Sequence, residues 1–150
     1  SERHRLVFSS PPMSWIVKAF LKNSINVIAE SVFRTLGQID NSSPDLLDSA
    51  QMVLRDFMLR AGLPNTFSIY DGSGLSRESR ITPHAMFLFL NYTRQSREFS
   101  SLLSALPVAG VDGTLKSRMS NSYAHGRLRA KTGTLNGVYN LSGYVPNGAG

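Results

Sequence analysis

A lysine, a threonine and a glycine lie side by side late in the chain, at Lys131-Thr132-Gly133. Lysine supplies positive charge, threonine supplies a hydroxyl that donates and accepts hydrogen bonds, and glycine lets another backbone approach closely. Two apolar-rich runs flank Asn136-Gly137, and Asn-Gly favours the positive φ angles of a type I′ turn. The sequence therefore predicts a β-hairpin whose first strand carries the triplet as an anion-recognising edge.

A second group of polar side chains lies at the joint between two helical patterns. Apolar residues recur at helical spacing over residues 13–22 and again over 26–37. Ser24 and Asn26 fall between the two patterns, where their side chains can point outward from a rigid frame. Gly37 fits the residue that follows a helix C-terminus. The predicted buried stripe of the second helix consists of Val27, Ile28, Val32, Phe33 and Leu36.

The rest of the chain is mostly helical, with strands late in the order. Ser43-Pro44-Asp45 and Thr82-Pro83 both combine a capping hydroxyl with a proline, which predicts two further helix starts. We also expect a turn-rich linker at 38–43, a short strand at 67–70, a helix at 99–106 and helical turns within 113–119. This pattern of helices followed by late antiparallel strands predicts an α+β fold. A lone hairpin is marginal in water, so we expect further strands elsewhere in a longer parent chain.

The glycine-rich segment Asp71-Gly72-Ser73-Gly74 predicts a tight turn. Asp71 can accept hydrogen bonds from backbone amides of that turn, which favours a structural role. Ser73 has no lysine or histidine at a spacing that would make it a nucleophile, so we do not assign it to catalysis.

Composition limits the classes of function. Of the 150 residues, 41% are hydrophobic and 17% are charged, which is typical of one globular domain. The net charge of +6 favours anionic partners, but the basic residues are scattered and lack interleaved aromatics. We therefore expect no nucleic acid partner, and nucleic acid binding stays the weaker alternative. No apolar run approaches the length of a membrane span, so no transmembrane segment is expected.

Metal and redox chemistry is not predicted. The chain has no cysteine, which excludes disulfides and thiolate metal sites. Its histidines, His4, His84 and His125, are isolated, and no two share metal-ligand spacing. The predicted site therefore needs neither a metal nor a cofactor.

Four ordered blocks carry a resemblance to a known family. They are residues 21–37, with Ser24-Ile25-Asn26; residues 71–77; residues 109–115; and residues 131–144, with Lys131-Thr132-Gly133. Together they resemble D-alanyl-D-alanine carboxypeptidases of the penicillin-binding protein 4 (DacB-like) type, over about residues 13–145. Ser-x-Asn alone occurs often by chance, whereas Lys-Thr-Gly belongs to the motif set of penicillin-binding proteins.

The resemblance implies a serine-type hydrolase that cuts D-Ala-D-Ala bonds or cross-links of peptidoglycan through an acyl-enzyme. It implies an active site in the cleft between a helical cluster and an antiparallel sheet, as in penicillin-binding proteins and β-lactamases. The expected substrates are peptidoglycan stem peptides that end in D-Ala-D-Ala, and β-lactam antibiotics are the expected inhibitors. The expected location of the parent protein is the periplasm or cell envelope.

Three residues receive catalytic roles through the resemblance. Ser24 would relay a proton toward the leaving amine, because a hydroxyl both donates and accepts. The alternative for Ser24 is a cap of the helix that begins near Asn26. Asn26 would hold the amide carbonyl of the substrate, and its alternative is an ordinary helix-start asparagine. Lys131 would raise the positive potential of the cleft, and its alternative is a solvated strand lysine.

Three residues receive substrate-binding roles in the same way. Thr132 would bind the terminal D-alanine carboxylate, and Gly133 would leave room for the peptide. Thr134 would offer a backbone N–H to the oxyanion and a hydroxyl to the same carboxylate.

The chain departs from the family in one motif. None of the four lysines, Lys18, Lys22, Lys116 and Lys131, follows a serine by three positions, so the Ser-x-x-Lys nucleophile motif is absent. We therefore expect residues 1–150 to be an internal-to-C-terminal part of a DD-peptidase catalytic domain, incomplete at both ends and inactive alone. The alternative is a non-catalytic module that binds peptidoglycan peptides.

Overall fold

The structure, a computed structural model, describes residues 6–40 and 43–148. Within these ranges lie helices α1 (Met13–Asn23), α2 (Asn26–Asp40), α3 (Leu46–Arg60), α4 (Pro83–Arg94) and α5 (Phe99–Ala105), a short 3-10 helix (Gly113–Leu115), and strands β1 (Phe67–Ser68), β2 (Arg80–Ile81), β3 (Arg129–Leu135) and β4 (Val138–Tyr144). Strand β1 pairs with β2, and β3 pairs with β4, both antiparallel. The predicted α+β fold is confirmed, whereas β2 was not predicted.

The joint between α1 and α2 lies where the sequence predicts it. Helix α1 ends at Asn23, and Ser24 follows it with a left-handed φ of 55°. This conformation lets the next backbone N–H, that of Ile25, donate to the Phe20 carbonyl at 3.2 Å. The chain then turns directly into α2. The predicted burial of Val27 is wrong, because its side chain is 71% exposed. Val27 lies six residues before the buried Phe33, and at about 100° per residue it is turned about 120° away from that face.

Helix α2 is longer than the sequence predicts. Gly37 is a buried residue inside α2 and not the residue after its end, and the predicted linker 38–43 therefore begins within the helix. A Cβ atom at Gly37 would come within 2.1 Å of the Leu46 carbonyl oxygen. The glycine is thus required by the close approach of α3 and not by a turn. Residues 41–42 lie outside the described residues.

The two predicted helix starts are confirmed, with one change of capping residue. Asp45 caps α3 by accepting a hydrogen bond from the Leu47 N–H at 2.7 Å. The predicted cap, Ser43, instead accepts from the Asp45 N–H at 3.2 Å and supports the turn before the helix. Thr82 caps α4 as predicted, accepting from the Ala85 N–H at 3.2 Å.

The buried segment 105–109 attaches the hairpin to the helices. Its residues are buried, and the Pro107 carbonyl accepts the Ala130 N–H at 3.0 Å. The Ala109 N–H donates to the Leu128 carbonyl, also at 3.0 Å. Strand β3 is therefore fixed to the protein interior immediately before Lys131.

The β3–β4 hairpin has the predicted strands and register, with Leu135 opposite Val138 around the loop Asn136-Gly137. The predicted type I′ turn is wrong, because only Gly137, at φ 79°, has a positive φ in this loop. Positive φ at the second loop position alone is a feature of type II turns. None of the described helices is long and apolar enough to span a bilayer.

Candidate active site

A cleft of about 650 Å³ opens where the α1–α2 joint faces strand β3. The turn that follows Asp71 and the 3-10 helix form its other walls. All six residues to which the sequence assigns a role line this cleft: Ser24, Asn26, Lys131, Thr132, Gly133 and Thr134. The structure therefore brings together two motifs that are far apart in the chain.

Lys131 and Ser24 meet directly across the cleft. The Lys131 ammonium donates hydrogen bonds to Ser24 Oγ at 2.8 Å and to the Thr132 carbonyl oxygen at 2.6 Å. The two residues are 107 positions apart, so this contact exists only in the folded chain. Burial of the ammonium lowers the pKa of Lys131 from its ordinary value of 10.5, because the charged form loses solvation.

Ser24 carries a backbone conformation that residues other than glycine rarely adopt. Its hydroxyl accepts from Lys131, and among the hydrogen bonds of the described residues it makes none to the amides that begin α2. The geometry thus gives the hydroxyl a partner in the cleft and does not support the capping alternative. Asn26 is the exposed first residue of α2 and also lines the cleft, so both interpretations of it are compatible with its position.

An ion pair holds the end of α1 against the loop that forms the far wall. Lys22 Nζ lies 2.6 Å from Asp112 Oδ2 and also donates to the Leu106 carbonyl at 2.7 Å. Asp112 in turn accepts the Val108 N–H at 2.8 Å. At Gly113, whose φ is 56°, a Cβ would come within 2.5 Å of the Lys22 carbonyl oxygen. This close packing fixes the 3-10 helix relative to Ser24.

The β3 residues that the sequence predicts to bind substrate face the 3-10 helix. Thr132 Oγ1 donates to Thr114 Oγ1 at 2.8 Å, and Thr134 is exposed to the cleft. Gly133 has an open face, since a Cβ there would meet only Asn140, at 3.4 Å. Thr114 and Arg118, for which the sequence predicts no role, also line the cleft. Thr114 lies within the resembling block 109–115, which was the available signal.

Asp71 organises the glycine-rich wall of the cleft, as its predicted structural role requires. Its carboxylate accepts the backbone N–H groups of Leu75 at 2.8 Å and Ser76 at 3.2 Å. Burial alone raises the pKa of Asp71, but the hydrogen bonds outweigh it and leave the pKa below its ordinary value of 3.8. Ser73 donates to the same carboxylate and Ser79 to its other oxygen.

The turn is also attached to α2. The Gly72 N–H donates to Glu30 Oε2 at 2.9 Å. A Cβ at Gly72 would lie 2.6 Å from the Ala29 carbonyl oxygen, so the turn and the helix are in close contact. The glycine-rich wall therefore has a fixed position beside Ser24.

Asp71→Asn is expected to make the free energy of unfolding depend less steeply on pH in the acid range. The folded-state pKa of Asp71 is lowered, so its ionised form stabilises the fold above the unfolded value near 3.8. That stabilisation is lost as the pH falls through the folded pKa. Denaturant titrations between about pH 6 and pH 2 should give wild type a steeper loss of unfolding free energy below pH 4 than the variant. Parallel profiles in that range would contradict this role.

The residues that the structure describes hold no cluster of three or more histidine, aspartate or glutamate side chains suited to a metal ion. His125 contacts the Ser120 carbonyl, through Nδ1 at 2.8 Å, and lies close to Gly110. His4 lies outside the described residues.

Comparison with known proteins gives the family. The sequence profile of the D-Ala-D-Ala carboxypeptidase 3 (S13) family matches residues 1–150. The D-alanyl-D-alanine carboxypeptidase DacB of Haemophilus influenzae is 33% identical over 144 residues, covering 94% of this chain and 30% of that protein. The D-alanyl-D-alanine carboxypeptidase of Actinomadura sp. is 33% identical over 95% of this chain and 27% of its own length. The chain belongs to the S13 family.

A solved structure of a similar protein supports the same family assignment. Penicillin binding protein 4 (dacB) from Haemophilus influenzae, crystallised with a β-lactam, superposes with a TM-score of 0.83 at 32% identity. The match covers 91% of this chain and 32% of that one. The chain therefore has the fold of the corresponding part of that protein, and spans about a third or less of the length of these relatives.

Proposed function

We propose that residues 1–150 are part of the catalytic domain of a serine-type D-Ala-D-Ala carboxypeptidase or endopeptidase that acts on peptidoglycan in the cell envelope. The observation that carries the proposal is the 2.8 Å hydrogen bond from Lys131 to Ser24 across the cleft. This hydrogen bond joins the strand that carries Lys-Thr-Gly to the helix joint that carries Ser-x-Asn. Membership of the S13 family supports the same proposed function. Since the 150 residues hold no Ser-x-x-Lys motif, the nucleophile comes from another segment of the whole protein.

In this proposal the cleft residues move one proton during acylation. The nucleophilic serine attacks the carbonyl of the penultimate D-alanine, its oxygen bonds to that carbon, and the C–N bond to the last D-alanine breaks. The serine proton passes to the leaving amine through the Ser24 hydroxyl, which accepts on one side and donates on the other. Lys131 holds that hydroxyl in place, and its lowered pKa eases proton exchange along the pair.

The same cleft orients the peptide. Asn26 offers a side-chain NH₂ to the amide carbonyl of the substrate, and the Thr134 N–H lies on the strand edge for the developing oxyanion. Thr132 and Thr134 present hydroxyls to the terminal carboxylate. The open face of Gly133 leaves room for the peptide backbone along β3. Substrates with a free D-Ala-D-Ala carboxylate therefore fit, and β-lactams fit as acylating inhibitors.

The test is labelling of the whole protein, including its Ser-x-x-Lys segment, with a fluorescent penicillin. We expect one covalent label per molecule, and release of D-alanine from a peptide that ends in D-Ala-D-Ala. A whole protein that is never labelled and releases no D-alanine would overturn the proposal.

A second candidate is a binding module without turnover, which the absence of Ser-x-x-Lys in these residues favours. Titration of a D-Ala-D-Ala-terminated peptide into wild type and Lys131→Ala separates it from an inert scaffold. Weaker binding by the variant, without D-alanine release by either protein, supports this candidate. Equal affinity in both proteins rules it out.

A further inference from the structure

The charges that line the cleft point to an anion-binding corner outside the Lys-Thr-Gly strand. Its described lining residues include two cations, Lys131 and Arg118, and no carboxylate. Lys131 is half-buried and already donates two hydrogen bonds, to Ser24 and to the Thr132 carbonyl. An ammonium has three donors, so at most one remains for a ligand. Lys131 alone therefore cannot donate to both oxygens of a carboxylate.

Arg118 has the position and the free donors for this task. Its side chain is exposed in the cleft and makes no hydrogen bond or ion pair with any described residue. Its backbone N–H bonds the Leu115 carbonyl at 2.9 Å, and Leu115 is fully buried. The turn that carries Arg118 is thus anchored in the core. A planar guanidinium can bind both oxygens of a carboxylate at once.

Thr114, on the other side of Leu115, prepares the neighbouring hydroxyl. It lies 2.8 Å from Thr132 through their Oγ1 atoms. A hydroxyl rotates about its C–O bond, so the pair can reverse: Thr114 then donates to Thr132, and Thr132 donates to a ligand. Thr114 contacts Thr132 and not the reacting atoms, so it is a positioning residue.

We propose that Arg118 and Thr114 form the second wall of the carboxylate site, with Arg118 binding the terminal carboxylate of the peptide and Thr114 orienting the Thr132 hydroxyl toward it. This inference rests on the proposed function for the identity of the ligand. It assigns specificity for a free C-terminal carboxylate to the segment after the 3-10 helix as well as to β3.

The test compares two non-hydrolysable peptides on the whole protein by calorimetry. Both are D-Ala-D-Ala mimics with a ketomethylene in place of the scissile amide, one with a free carboxylate and one with a C-terminal amide. Wild type should prefer the carboxylate, and Arg118→Gln should weaken carboxylate binding about tenfold or more while leaving amide binding unchanged. Arg118→Lys should restore part of the preference, since charge returns without the planar fork.

Two controls separate recognition from folding and from general charge. Lys116→Gln removes the same charge from an exposed residue two positions away that does not line the cleft, and should bind both peptides as wild type does. Thr114→Val should reduce the carboxylate preference and Thr114→Ser should restore it, which a merely structural role would not produce.

The outcomes also distinguish this inference from the proposed function. A labelled, active protein in which Arg118→Gln keeps the full carboxylate preference, or weakens both peptides equally, overturns the inference alone. If penicillin never labels the protein but Arg118→Gln loses the carboxylate preference, the anion site is supported and the proposed peptidase activity is overturned. A wild type that binds both peptides equally well overturns the inference whatever its activity.

Discussion

Lys131→Ala is expected to lower the rate at which penicillin acylates the whole protein by about a hundredfold or more, because the variant loses the donor that holds Ser24. The 2.8 Å contact would disappear, and the Ser24 hydroxyl would be free to rotate away from the proton path. The measurement is the second-order acylation rate constant, followed with a fluorescent penicillin.

The controls are a variant of a lysine outside the cleft and a variant of the hydrogen-bond partner of Lys131. Lys18→Ala removes an exposed lysine from α1 and should acylate at the wild-type rate. Ser24→Ala removes the other end of the same hydrogen bond. The double variant should be little worse than the more damaged single variant, because the two residues act as one unit. Full additivity, or a Lys131→Ala rate within about threefold of the Lys18→Ala rate, would contradict the assigned role.

Gly37→Ala should destabilise the protein by about 2 kcal/mol or more, although alanine is normally the better helix residue. The added Cβ would lie 2.1 Å from the Leu46 carbonyl oxygen, so α2 and α3 would have to separate. Denaturant unfolding of the whole protein gives the free energy of unfolding. Gln38→Ala, at the next and exposed position of α2, should stay within about 0.5 kcal/mol of wild type. An unchanged or raised stability for Gly37→Ala would show that the helices do not approach this closely.

Local chemistry made much of the fold predictable. Thr82-Pro83 determines a helix start through a hydroxyl cap and a fixed φ angle, both of which act within one turn of the chain. The same holds for the end of α1 and for the hairpin strands. Such features depend on neighbours in sequence, so they can be derived from sequence alone.

Features that depend on contacts between distant elements could not be predicted from the local sequence. Gly37 resembled a helix terminator, but its small size serves the packing of α2 on α3. Val27 has the right residue type for a core position, but the face that α2 buries is selected by Phe33 and Gly37. Asn136-Gly137 favours a type I′ turn in isolation, yet only Gly137 adopts a positive φ.

In the candidate site, too, local features could be predicted from the sequence and contacts between distant residues could not. Spacing indicated that Ser24 lies at a helix joint and Lys131 on a strand, but nothing local predicts that they meet over 107 positions. That expectation came from the resemblance to a family. Arg118 was missed because an isolated surface arginine carries no motif. Its place in the lining of the cleft that also holds Thr132 becomes visible only once the chain is folded.

The most direct measurement is a crystal structure of the whole protein after reaction with penicillin. We predict a penicilloyl group on the serine of a Ser-x-x-Lys segment, lying in this cleft. Its carboxylate should be hydrogen-bonded to Thr132, and Ser24 should still be within hydrogen-bond distance of Lys131. A penicilloyl group attached outside the cleft, or a bound carboxylate that faces away from β3, would contradict it.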